Sequence, residues 1–161
     1  MTQKHFEQQG TFHVTTNTKN DPWCLGQGIP EILIDNLVMT RNLCRAELHA
    51  FCILPDHVHI VLSPGPKGLS QFMHSFKRNA MWDIRKIHPR SGRSRSSATV
   101  FPEWQKSFFD ERIRDDRQRS NALSYVQYNA YHHGLTDDPC GWPWSSLAFP
   151  DVLDPLDVWF D

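Results

Sequence analysis

Long apolar runs are missing from this sequence of 161 residues. No stretch is long enough to cross a bilayer, which argues against a membrane-spanning protein. Residues 1–6 also lack the apolar segment that a secretory signal needs, so we expect a cytoplasmic protein. The composition, 39% hydrophobic and 22% charged, is ordinary for a globular chain. Its length suits one compact domain whose core needs no disulfides.

Closely spaced cysteines are missing too. The four cysteines form no Cys-x-x-Cys pair, which excludes the usual zinc-knuckle and thiol redox motifs. The chain also has no His-Glu-x-x-His helix and no carboxylate-rich centre, which argues against a hydrolase that activates water on a metal. No heptad repeat fixes an oligomeric state, so a monomer and a homodimer both remain open.

Basic residues are absent from the C-terminal end. Residues 136–161 hold six of the 18 acidic residues and none of the 17 basic ones, so residues 1–135 carry net positive charge. We expect a main domain over 1–135, suited to a nucleic-acid partner, and an acidic tail over 136–161, rich in Trp and Pro, that docks by aromatic burial. The tail could cover the basic surface or the active site and compete with DNA, or its acidity could have no role.

Hydrophobic periodicity predicts the secondary structure of the domain. The order of the elements favours an α+β, ferredoxin-like sandwich in which an antiparallel sheet carries helices on one face. A C-terminal helix follows, and the second face of the sheet is left open. The predicted strands are 11–18, 46–54, 57–62 and 100–109, and the predicted helices are 29–44, 69–87 and 116–133.

Two histidines stand two residues apart in the third predicted strand. Alternate side chains of a strand share a face, so His57 and His59 point together while Val58 and Ile60 point toward the helices. On an open face, both imidazoles can reach one cation. A pair of ordinary surface histidines is the alternative.

The C-terminal helix offers groups that could complete such a site. Tyr125 and Asn129, at i and i+4, occupy one helix face. An amide oxygen can complete a two-histidine metal site, and a tyrosine hydroxyl beside the metal can act as a nucleophile on phosphate. Two alternatives stay open, because these tyrosines could be core aromatics and because the same spacing permits Tyr128 with His132.

Taken together, these motifs resemble the single-tyrosine HUH transposases, and within them the REP-associated tyrosine transposases. The resemblance implies a ferredoxin-like domain that binds folded single-stranded DNA and cuts it through a phosphotyrosine bond, using Mg²⁺ or Mn²⁺. The metal histidines would be His57 and His59, the nucleophile Tyr125 and the amide ligand Asn129. The motifs that carry it are 12–15 (FHVT), 54–62 (LPDHVHIVL), 104–110 (WQKSFFD), 113–115 (IRD), 125–129 (YVQYN) through 134–135 (GL), and 144–146 (WSS).

One position departs from the family pattern. Ala130 follows Asn129 where a proline is usual, and we expect this alanine to straighten the helix. A non-catalytic nucleic-acid-binding domain on the same fold is the alternative function, although the intact Tyr125, His57 and His59 count against it.

Basic residues cluster on the second predicted helix and the loop after it. Seven basic residues stand against one acid, Asp83, between positions 74 and 95. We expect them to contact the DNA backbone, although solvated surface charge is the simpler alternative. They are Lys77, Arg78, Arg85, Lys86, Arg90, Arg93 and Arg95.

Overall fold

A computed structural model describes residues 7–19, 21–88 and 102–156. The main elements follow one another in the order β-α-β-β-α-β-α. They are β1 (Thr11–Asn17), α1 (Ile29–Cys44), β2 (Glu47–Ile53), β3 (His57–Ser63), α2 (Leu69–Ile87), β4 (Phe109–Ile113), α3 (Asp116–Gln127) and α4 (Asn129–His132).

The four strands form one sheet in the order β2-β3-β1-β4, and all neighbours are antiparallel. This is the strand order and connectivity of a ferredoxin-like fold, as predicted. The Pro55-Asp56 turn joins β2 to β3 because it reverses the chain between two apolar strands. β1 and β3 therefore lie side by side at the centre of the sheet.

Each face of the sheet is covered by helix. One face packs against α1 and α2, and Phe12, Phe51 and Phe76 are buried in this main core. The opposite face holds a smaller core in which Val61 and Ile113 meet Val126 of α3. The predicted α+β sandwich is confirmed, but the second face is not open at its centre, because α3 folds back across it.

Two predicted elements differ from the structure. The fourth strand is Phe109–Ile113 rather than residues 100–109. Residues 100 and 101 lie outside the described part of the chain, and Trp104 forms only an isolated antiparallel bridge with Thr18 rather than part of a strand. Its ring stacks edge-on against Trp23 at 4.9 Å between ring centroids.

The predicted helix 116–133 is interrupted at one residue. Tyr128 has φ −104° and ψ 15°, so α3 ends at Gln127 and α4 begins at Asn129. Ala130 therefore does not straighten the helix. Ala130 instead packs with buried Cys52 in the smaller core, which joins the start of α4 to β2.

The C-terminal segment packs along the free edge of β2. Trp142 donates its indole N–H to the Ile53 carbonyl oxygen at 2.8 Å, and Ser145 bridges Cys52 in antiparallel fashion. Trp144 and Phe149 also pack against the main core. The expected docking of this segment by aromatic burial is seen here. Within the described ranges, no helix has the length and apolarity that crossing a membrane requires.

Candidate functional site

The two histidines of β3 share the α3 side of the sheet, as their alternation predicts. Across the β1 ladder, His59 lies opposite Thr15, and His57 lies opposite Asn17. His57 is half-buried, but His59 is only 4% exposed because α3 lies over it. The expectation that both stand on an exposed face is therefore wrong for His59.

The two imidazoles are close and nearly perpendicular. Their ring centroids are 4.9 Å apart, with an interplanar angle of 85°. Nδ1 of His57 lies 2.6 Å from a carboxylate oxygen of Asp56. A carboxylate in this position orients an imidazole and fixes its proton on Nδ1, which leaves Nε2 free to bind a cation.

His59 is oriented by two side chains of β1. Its Nδ1 lies 2.9 Å from Nε2 of His13 and 3.0 Å from Oγ1 of Thr15. Burial, reinforced by the neighbouring imidazoles of His13, His57 and His133, lowers the pKa of His59 to about 3. His59 is therefore neutral at pH 7, which is the form that binds metal.

Tyr125 reaches this cluster from α3. Its ring centroid lies 5.4 Å from that of His59 and 5.6 Å from that of His13. The tyrosine is 47% exposed, so substrate has access to it. The alternative pair is less favoured, because Tyr128 makes no ring contact with these histidines among the described residues, and the ring near His132 is Tyr131.

Asn129 is the most unusual side chain of the site. It is fully buried, yet neither its amide oxygen nor its amide nitrogen has a hydrogen-bond partner in the described structure. Buried amides are normally paired, because an unpaired one costs about 1–3 kcal/mol. A cation bound to the amide oxygen would account for one of these two unpaired atoms.

The placement of Asn129 follows from its neighbours on the helix. Tyr125, Asn129 and His133 are spaced four residues apart and form one stripe. Tyr125 at one end contacts His59, and His133 at the other lies 6.1 Å from His57 between ring centroids. Asn129 lies between these two residues in the sequence and is buried.

A divalent metal fits the donors present. No group of three or more His, Cys, Asp or Glu suited to a metal occurs among the described residues. A third protein ligand would therefore be of another kind, and the unpaired amide oxygen of Asn129 is a donor of suitable chemistry. Two imidazoles and one amide would leave coordination positions open for phosphate oxygens and water.

A pocket of about 450 Å³ opens beside Tyr125. Its floor is β1 and β4, and one wall is formed by the residues of α3 that precede the tyrosine. A pocket of this size can hold a small ligand or one nucleotide of a longer strand. The lining residues are His13, Thr15, His59, Glu111, Ile113, Gln118, Asn121, Ala122 and Tyr125.

The chain can be compared with known families on this basis. Residues 7–129 match the family model described as Transposase IS200 like. The chain belongs to this IS200-like transposase family.

Two curated relatives of this IS200-like transposase are similar in sequence. A provisionally named REP-associated tyrosine transposase of Haemophilus influenzae is 30% identical over 107 residues, which cover 63% of this chain and 58% of the relative. The REP-associated tyrosine transposase of Escherichia coli K12 is 22% identical over 144 residues, covering 89% of this chain and 80% of the relative. The match thus spans little more than half the length of the first relative.

Two solved structures share the fold. One is a REP-associated tyrosine transposase bound to a REP hairpin, with a TM-score of 0.72 and 19% identity, covering 100% of this chain and 92% of that one. The other, a provisionally named Deinococcus radiodurans transposase, has a TM-score of 0.53 and 18% identity, with 78% and 95% covered. The resemblance to REP-associated tyrosine transposases and the ferredoxin-like α+β fold are both confirmed.

The predicted DNA-binding residues of this IS200-like transposase lie elsewhere. Helix α2 carries Lys77, Arg78, Arg85 and Lys86 on the sheet face opposite α3, so the structure does not bring them to Tyr125. Lys86 pairs with Asp83 at 3.3 Å. The remaining three predicted residues, Arg90, Arg93 and Arg95, lie outside the described part of the chain.

Sequence reasoning missed two residues of the site, His13 and Thr15. They alternate on β1 as His-x-Thr, the same spacing as the histidines of β3, and that pattern was available from the sequence. What the sequence does not contain is the register between β1 and β3 that brings His13 and Thr15 to His59.

Proposed function

We propose that this IS200-like transposase is a metal-dependent enzyme that nicks and joins single-stranded DNA through a 5′-phosphotyrosine intermediate. One observation supports this above the others. Tyr125 contacts His59 and lies four residues before the buried, unpaired Asn129, and the Nδ1 atoms of His57 and His59 are engaged by Asp56 and His13.

Each side chain then has a defined task. His57, His59 and Asn129 would hold Mg²⁺ or Mn²⁺, which supplies charge stabilisation at the non-bridging oxygens of the scissile phosphate. Asp56, His13 and Thr15 orient the two imidazoles. Tyr125 stands at the edge of the pocket, where its hydroxyl can approach the phosphorus in line.

The reaction balances without a further reagent. The Tyr125 oxygen forms a bond to phosphorus while the bond from phosphorus to the 3′ oxygen breaks. The tyrosine gives up its proton and the leaving 3′ oxygen gains one, so the products are a 5′-phosphotyrosine and a free 3′-OH. Attack by another 3′-OH reverses these changes, joins two strands and restores the tyrosine.

The substrate class is single-stranded DNA that folds into a hairpin. Membership in the IS200-like transposase family supports DNA as the substrate. The similar REP-associated tyrosine transposase was solved with a REP hairpin, which supports the hairpin. The groove beside Tyr125, floored by two strands, suits an unpaired strand better than a duplex.

A covalent-adduct assay tests this proposal. The protein is mixed with Mn²⁺ and single-stranded DNA from the flanks of its own gene, and a denaturing gel detects protein joined to DNA. We expect an adduct with the wild type, none with Tyr125→Phe and none with excess chelator. Tyr131→Phe is the matched control, since Tyr131 is 42% exposed and Tyr125 47% exposed.

Two results would contradict the proposal. An undiminished adduct in Tyr125→Phe would exclude Tyr125 as the nucleophile. Tight DNA binding by the wild type with no adduct under any metal would instead indicate a non-catalytic DNA-binding domain on the same fold.

A further inference from the structure

A second pocket of about 520 Å³ lies on the other face of the sheet. It is a cleft between α2 and residues 104–108, the segment that leads into β4. Its lining combines basic side chains with aromatic ones and contains no carboxylate. The lining residues are Ser70, Met73, His74, Lys77, Arg78, Trp104, Gln105, Lys106, Ser107 and Phe108.

The positive charge of this cleft meets no carboxylate among the residues that the structure describes. Among the described residues, none of Lys77, Arg78 and Lys106 has an ion pair, whereas basic residues elsewhere commonly do. Arg41 pairs with Asp154 at 2.8 Å, and Arg114 pairs with Glu7 at 2.8 Å. Cations without carboxylate partners that border a pocket suit an anionic ligand.

Lys77, at the floor of the cleft, has more N–H donors than acceptors among the described residues. Its ammonium donates to the backbone carbonyls of Gln105 at 2.7 Å and Ser107 at 3.1 Å. An ammonium has three N–H donors, so one is left for a ligand. Burial lowers the pKa of Lys77 to about 8, and a bound anion would favour its charged form.

The aromatic side of the cleft is held in place by packing. Trp104 packs against Trp23 at 4.9 Å and against Phe76 at 6.1 Å between ring centroids. Phe108, which also lines the cleft, is 8% exposed. Fixed aromatic rings beside cations are the pattern with which proteins hold single-stranded nucleic acid, through base stacking and phosphate contacts.

The cleft is joined to the catalytic pocket by β4. Phe108 lines the cleft, and the next residue, Phe109, is 58% exposed and lies opposite Thr15 in the β1 ladder. Thr15 contacts His59. Since β4 is an edge strand, a ligand can pass around it from one sheet face to the other with Phe109 at the crossing.

We propose that the cleft between α2 and residues 104–108 binds a nucleotide of single-stranded DNA that continues from the catalytic pocket around the edge of β4. Arg78, Lys77 and Lys106 contact its phosphates, and Trp104 and Phe108 form the wall for its base. The inference deepens the proposed function, on which it rests, by giving the DNA a second contact site outside the scissile phosphate.

The test measures binding, separately from cleavage. All variants carry Tyr125→Phe and are assayed without metal, by fluorescence anisotropy with labelled dT15 over a range of salt concentrations. Arg78→Ala with Lys106→Ala should weaken binding by roughly tenfold and flatten the log–log salt dependence by about 1.4, since each single-strand phosphate contact contributes about 0.7. Both residues are exposed, so the fold should persist.

A matched pair removes the same charge outside the cleft. Arg45→Ala with Lys67→Ala should leave affinity within about twofold, because both residues are exposed and neither lines the pocket. In the wild type, the indole N–H resonance of Trp104, assigned with Trp104→Phe, should shift as dT15 is added.

Equal weakening by both pairs, or by neither, would overturn the cleft as a binding site. Tighter binding of rU15 than dT15 with the same dependence on Arg78 and Lys106 would overturn DNA as its ligand. These outcomes are independent of the proposed reaction, since an absent adduct in the wild type leaves the binding measurement intact.

Discussion

The buried amide of Asn129 lowers the folding stability of the metal-free protein, a cost that a bound metal would offset. Because both polar atoms of its buried amide lack partners, Asn129→Leu should stabilise the metal-free protein by about 1–3 kcal/mol. The same change should abolish measurable Mn²⁺ binding. Denaturant unfolding and isothermal titration calorimetry measure the two effects.

The control for this substitution is Asn42→Leu, the same change at an exposed position of α1, which should leave both quantities nearly unchanged. Destabilisation by Asn129→Leu together with unchanged Mn²⁺ affinity would show that the amide serves the fold and binds no metal.

His13 is a positioning residue for His59. When its Nε2 accepts the Nδ1 proton of His59, the lone pair of His59 Nε2 faces the site. His13→Phe should therefore weaken Mn²⁺ binding by roughly 10–100-fold. His13→Gln, whose amide oxygen can accept the same proton, should restore affinity to within about threefold.

A structural role alone would not produce this rescue. Nitrogen-15 chemical shifts of His59 report its tautomer directly, and we expect the Nδ1–H form in the wild type and in His13→Gln. Equal Mn²⁺ affinity in the wild type and His13→Phe would contradict the positioning role.

Among the elements, the break between α3 and α4 matters most at Ala130, where the family pattern has proline. The break places this position in the first turn of a helix. Ala130 is the second residue of α4 and so lies in its first turn. Proline is tolerated in a first helical turn. Ala130→Pro should therefore cost no more than about 1 kcal/mol of unfolding free energy.

Ala122→Pro is the matched substitution inside α3, and it should cost about 3 kcal/mol or more. Thermal and urea unfolding of both variants measure the difference. A similar large loss in Ala130→Pro would mean that the two helices act as one continuous helix.

The sequence predicts elements that carry strong periodicity and misses those that do not. The bounds of α1 and α2 are as predicted, because each presents an apolar stripe to the sheet. β4 escapes prediction because it is an edge strand whose central residues, Asp110, Glu111 and Arg112, face solvent in part.

The candidate site is predicted in the same uneven way. His57, His59, Tyr125 and Asn129 lie on local repeats of two or four residues, so their mutual placement follows from the strand and the helix. The burial of His59, the role of His13 and the cleft under α2 depend on register and packing between distant segments. Local spacing contains no information about those contacts.

At the scale of the whole molecule, the described part of the acidic tail is a structural cover for the edge of β2. A carboxylate oxygen of Asp154 accepts from the Leu48 backbone N–H at 2.9 Å, and the other groups of Asp154 engage Arg41 and the Leu48 carbonyl. Asp154→Ala should lower the free energy of unfolding by about 1–3 kcal/mol, since it removes the carboxylate from the Leu48 N–H and from the Arg41 guanidinium.

Asp151→Ala, at an exposed position of the same segment, should change stability by less than about 0.5 kcal/mol.

If the tail also restrains activity, deletion from residue 150 onward would raise adduct formation. We expect instead that this deletion lowers stability and exposes a strand edge prone to association. Urea unfolding, with light scattering of the truncated chain, measures both effects. Stability retained with higher activity would contradict the structural role.

The identity of the tyrosine that becomes attached to DNA decides whether Tyr125 is the nucleophile. The adduct formed with Mn²⁺ and single-stranded DNA from the flanks of the gene is digested with nuclease and protease, and tandem mass spectrometry locates the residual nucleotide. We expect a phosphodiester on Tyr125 through the 5′ phosphate of the DNA. A nucleotide on Tyr128 or Tyr131, or attachment through a 3′ phosphate, would contradict it.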